Sequence, residues 1–186
     1  MQIRQTIINY LQQRQTPTIR FFHIAILFLV LSQIIVSNFI DFNDNGEISR
    51  NFIGFYGTWI HIITGLLLVP LALLFTFIEL KQRGFNFFFP YLSGDNEQLK
   101  ADFNQLKKLQ LPEPSDKGLA AAVQGLGLGA LLLVVFSGLI WFIAWINGVS
   151  WAEDIQEIHG FLTGLVITYF FAHGFMGVLH IFLSKE

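Results

Sequence analysis

A chain of 186 residues that is 53% hydrophobic and 13% charged, with a mean hydropathy of +0.56, has a membrane composition rather than a soluble one. Its net charge of −2, with no basic cluster, gives no ground for a nucleic-acid partner. The absence of cysteine excludes disulfides and an iron–sulfur cluster held by the chain's own thiolates.

Residues 1–20 are polar, with Ile3, Ile7, Ile8 and Leu11 at helical spacing until Pro17 breaks the pattern. They read either as a short amphipathic helix on the membrane surface or as a frayed tail. Residues 21–40 carry no Asp, Glu, Lys or Arg and are about as long as a span requires. Their apolar core is too long for a signal sequence, so they are expected to form the first transmembrane helix. An acidic loop follows over 41–51, with Asn45-Gly46 as its turn signal.

Residues 52–80 form the second expected span, with Pro70 a tolerated kink. Residues 81–117 make a sizeable extramembrane loop. Its 85–91 portion is aromatic enough for the headgroup region. Leu99, Phe103, Leu106 and Leu109 then line one face of a surface helix ended by Pro112 and Pro114. Residues 118–146 and 154–183 are the third and fourth spans, separated by a loop bearing Glu153, Asp154 and Glu157. The expected fold class is all-α: one membrane domain over residues 1–186, an integral membrane four-helix bundle.

Basic residues set the expected orientation. With the N-terminus inside, the cytoplasmic side holds Arg4, Arg14, Arg20, Lys81, Arg83, Lys100, Lys107, Lys108, Lys117 and Lys185, and the outer side holds Arg50. That asymmetry predicts cytoplasmic termini at both ends.

The five histidines carry the chemistry. His159 and His173 lie fourteen residues apart on the fourth span, which places them on one helical face about 21 Å apart along the axis. Counting depth along each span puts His61 level with His159 in the outer half, and His23 level with His173 in the inner half. Imidazoles persist in a lipid core when they face a bundle interior with a partner. Two of them facing each other across a bundle are what a six-coordinate haem iron requires. The predicted axial ligands are His61 with His159 for an outer haem and His23 with His173 for an inner one. The bland alternative for each histidine is a hydrogen bond to a neighbouring carbonyl. His180 falls near the same stripe without an obvious partner, and is a rival inner ligand, a propionate contact or a quinone contact. Glycines along spans two, three and four, Gly57, Gly65, Gly125, Gly127, Gly129, Gly138, Gly160, Gly164, Gly174 and Gly177, are read either as room for a macrocycle or as ordinary small-residue helix packing.

These features resemble the four-helix diheme b-type cytochromes of bacterial respiration, above all the gamma subunit of membrane-bound formate dehydrogenase, with the related hydrogenase cytochrome and stand-alone diheme cytochromes b. The resemblance rests on Arg20-Phe21-Phe22-His23, on His61, on the His159–His173 spacing and on Ser137-Gly138 in span three. It implies two haem b groups and an electron-transfer subunit of an oxidoreductase, without a catalytic residue of its own, in the bacterial inner membrane. Electrons would arrive from a periplasmic-side iron–sulfur partner, with a catalytic subunit beyond it, and leave to the quinone pool. The chain departs from the pattern where relatives hold the quinone, since Pro114-Ser115-Asp116-Lys117-Gly118 offers no clean match. Competing readings are a stand-alone quinone-linked cytochrome b, a transporter using the histidines as relays, and a structural anchor.

Overall fold

The computed structural model describes Gln12 and residues 15–183, so the amphipathic helix expected before Pro17 lies almost entirely outside the described residues. The chain forms four long helices, each apolar and long enough to cross a membrane.

Helix α1 spans Pro17–Val36 and is followed by a 3₁₀ turn over Ser37–Phe39. It starts four residues ahead of the expected boundary at 21, and the reason is local. The Thr16 hydroxyl caps the Ile19 N–H, and Pro17 occupies the first helical position, where its missing N–H costs nothing. The 41–51 loop turns at Gly46 (φ 72°), and Asn43 Oδ1 accepts from both Asn45 N and Glu47 N. Trp145 donates its indole N–H to Gly46 O at 2.9 Å, tying this loop to the end of the third long helix.

Helix α2 spans Phe52–Arg83, capped by the Asn51 side chain at Gly54 N and closed by Gly84 at φ 83°. Two short pieces follow, α3 over Phe85–Phe88 and a 3₁₀ turn over Pro90–Leu92. Helix α4 then spans Glu97–Lys107. It ends well before Pro112, because Leu109 turns into the left-handed region (φ 57°) and stands exposed. Leu109 therefore leaves the apolar stripe expected for it, while Phe103 and Leu106 stay exposed. The buried residue of α4 is Asp102, whose carboxylate accepts from Leu119 N and Gln98 Nε2, each at 2.7 Å. Asp102 thereby caps helix α5, Leu119–Ile146, from another element. Helix α6 spans Ala152–Leu183.

A thin core joins the four long helices through Ile26 and Val30 of α1, Leu68, Ala72 and Phe75 of α2, Leu128, Leu131 and Val135 of α5, and Val166 of α6. Phe88 of α3 plugs the same core from the loop end. Large apolar side chains such as Phe21, Phe52, Phe161 and Phe171 point outward, which suits lipid as the surrounding solvent.

Candidate functional site

The histidines meet in two pairs at two levels of the bundle. Near the end that carries the 84–118 segment, His23 of α1 faces His173 of α6, with ring centres 6.1 Å apart and planes at 77°. Toward the opposite end, His61 of α2 faces His159 of α6, at 6.3 Å and 83°. Helix α6 supplies one ring to each pair because fourteen residues of helix make nearly four turns. Helices α1 and α2 run in opposite directions, so a histidine early in each lands at opposite ends.

These separations can be compared with a bond sum. Two metal–imidazole bonds of about 2 Å, plus roughly 1.2 Å from each bound nitrogen to its ring centre, give about 6.4 Å between ring centres. Each ring-centre separation is close to that sum. Two imidazoles leave an octahedral ion four donors short. Among the described residues no group of three or more His, Cys, Asp or Glu comes together that could hold a metal ion. A macrocycle that brings four equatorial nitrogens of its own fits this donor set.

Space is present at the His61–His159 level. A cavity of about 130 Å³ opens between α1, α2, α5 and α6, with predominantly apolar walls that include Val30, Gly65, Gly138, Phe142 and Val166. Gln33 reaches in from α1 and donates to the His61 carbonyl at 3.2 Å and to the Thr64 hydroxyl. Ser137 of α5 stands 2.9 Å from His159 Nδ1. At the other level, Phe75 stacks on His23 at 6.4 Å and Tyr169 stacks on His173 at 5.1 Å. Gln15 Nε2 lies 3.3 Å from His23 Nδ1.

His180 lies apart from both pairs. It is buried, with Nδ1 at the Met176 carbonyl (2.8 Å) and Nε2 at the Pro112 carbonyl (3.0 Å). Both ring nitrogens thus face backbone oxygens, and the ring pins the end of the loop to α6.

The glycines divide into three kinds. At Gly138 a methyl group would stand 3.0 Å from His159 Cε1, so this glycine makes room for a site residue. At Gly57 and Gly125 the space is filled by Phe39 and Phe88, and at Gly127 by the Tyr169 ring, which is ordinary close packing. Among the described residues, nothing lies within 4 Å of a methyl group at Gly129, Gly160, Gly164, Gly174 or Gly177.

Sequence reasoning overlooked Gln33, Phe75 and Tyr169 as neighbours of the pairs, and Gln15 beside His23. Helical arithmetic from the histidines finds Tyr169, one turn before His173, but Gln33 and Phe75 approach from separate helices and Gln15 from the segment ahead of α1, and they leave no such trace.

The family model for prokaryotic cytochrome b561 matches residues 14–186. No curated protein and no solved structure matches the chain.

Proposed function

The chain belongs to the prokaryotic cytochrome b561 family, so it is a membrane b-type cytochrome of electron transfer, and from that premise we propose that it carries two haem b groups. His61 and His159 hold the outer iron, and His23 and His173 hold the inner one. The observation that carries this reading is the pair of ring separations, 6.3 and 6.1 Å, each close to the bond sum for a metal ion between two imidazoles. Haem b supplies a one-electron iron couple when bound.

The chain's own residues supply the rest. Four imidazoles from three helices fix where the two irons sit, and the rigid α6 fixes their separation along the membrane. Val30, Val135 and Val166 keep water from the outer site, which lowers the local dielectric and helps to set the potential. The proposed direction places an iron–sulfur partner on the periplasmic side, with catalytic chains beyond it, and the quinone pool on the inner side. The protein would then work in the bacterial inner membrane as the electron-transfer subunit of a respiratory oxidoreductase.

A reduced-minus-oxidised absorption spectrum of the purified, haem-replete protein is the direct test. Sharp b-type bands with about two haems per chain are expected, and a featureless spectrum sinks the proposal. Copurification of iron–sulfur and catalytic chains from native membranes tests the partners. Their absence would favour a stand-alone quinone-linked cytochrome.

A further inference from the structure

Helix α5 carries no histidine, yet besides lining the outer cavity it meets the His159 ring through the Ser137-Gly138 pair. Ser137 is buried, and its Oγ lies 2.9 Å from the Val134 carbonyl and 2.9 Å from His159 Nδ1. A hydroxyl has one proton to donate and two lone pairs to accept with. A carbonyl can only accept, so the Ser137 proton goes to Val134 O, and what Ser137 offers His159 is a lone pair. Nδ1 must then carry the ring proton. The neutral ring is therefore the Nδ1–H tautomer, with Nε2 holding a free lone pair. Gly138 completes the seat, since any side chain there would press on Cε1 and Nδ1 of the same ring.

We propose that Ser137 is the positioning residue of the outer haem: through its hydroxyl it fixes the tautomer and orientation of His159, and it makes that imidazole the more basic of the outer pair. This rests on the haem reading above. The opposite ring lacks a side-chain partner of this kind: among the described residues His61 Nδ1 has no hydrogen-bond partner, although the Gln33 backbone acts on the ring. The outer iron thus has one ligand seated by a side-chain hydroxyl and one without such a seat, and α5 tunes it without binding it. Partners of this kind orient a ligand and raise its basicity, and a more basic imidazole favours the ferric state.

The experiment compares the purified, haem-replete chain with S137A and S137T in a spectroelectrochemical redox titration. The outer component is the one that vanishes in H61A. With S137A, Nδ1–H loses its hydroxyl acceptor, His159 becomes less basic, and the outer midpoint potential rises while the inner one stays in place. Affinity for the outer haem falls by about ten- to a hundredfold. S137T, which keeps a hydroxyl, restores the original outer midpoint and haem retention. If S137A leaves the outer midpoint unmoved, or moves both midpoints equally, Ser137 is only a packing residue and the inference is overturned. A wild-type chain that shows no b-type bands overturns the haem reading itself, and this result is distinguishable because it precedes any substitution.

Discussion

Each histidine pair meets nearly edge to face, with planes at 77° and 83°, and this has a magnetic consequence once iron lies between the rings. An imidazole plane donates π density into one of two iron d orbitals that share the haem normal. Two perpendicular planes feed both orbitals alike and leave them close in energy. With the two proposed haems bound, the oxidised protein is therefore expected to give strongly anisotropic low-spin signals in electron paramagnetic resonance, each a single low-field feature. A three-line rhombic spectrum would show coplanar rings and contradict the observed angles. Substitution sorts the four residues into pairs in the same way. H61A and H159A should each remove the same haem, and H23A and H173A the other, as read by pyridine haemochrome stoichiometry and the split of the redox titration. Loss of the inner haem in H180A with its retention in H173A would reverse the assignment. That outcome is not expected, since both nitrogens of His180 already face carbonyl oxygens.

Among the elements, helix α5 depends on neighbours more than its apolar sequence suggests. Its N-terminal N–H at Leu119 is capped by Asp102, seventeen residues upstream on α4. D102A should cost about 1 kcal/mol, with about 2 as the upper range for a lost cap. Thermal unfolding of the detergent-solubilised protein, followed at the haem band, measures it. G127A tests the other face, because a methyl group there meets the Tyr169 ring that stacks on His173. Overpacking of this kind costs about 1–3 kcal/mol, and the inner haem's band should shift while the outer band stays. These contacts also show how far the sequence was legible. Long apolar runs set the four helices, and the depth count along them paired the histidines whose rings lie near each other in the structure. Asp102 as a cap and Ser137 as a seat were not legible, because each acts on a different helix from its own. The stripe through Leu109 failed for a local reason, a single left-handed residue after α4. Beside that helix, Lys117 donates to Asp95 at 2.6 Å across the loop. The Lys117 ammonium holds the Asp95 carboxyl below its usual range, first through the hydrogen bond and then through charge. A depressed carboxyl contributes stability above its unfolded pKa and loses it as pH falls through the folded one. Acid should therefore loosen this tie, and K117M should remove that part of the acid dependence. The effect will be small, since both groups are exposed and salt-screened.

At the scale of the whole molecule, helix length and charge decide how the bundle sits in a bilayer. Helices α2 and α6 have 32 residues each, or about 48 Å, against a hydrocarbon core of about 30 Å. Roughly a turn or more must project beyond the core even with tilt. At the loop end of α2 the projecting part carries Lys81 and Arg83, with Arg83 paired to Glu79 at 3.2 Å. The 84–118 segment at that end also holds Lys100, Lys107, Lys108 and Lys117, whereas the opposite loops carry only Arg50 among basic residues. The proposed orientation therefore puts the 84–118 segment in the cytoplasm and the 41–51 loop outside. The chain has no cysteine, so single cysteines report position without a background. Asn45 and Leu109 are both exposed and lie at opposite ends of the bundle. In intact spheroplasts, N45C should react with a membrane-impermeant maleimide and L109C should not, and both should react once the membrane is opened. The reverse pattern would turn the molecule over, place His23 and His173 on the periplasmic side, and take from the proposed electron route its entry at His61 and His159.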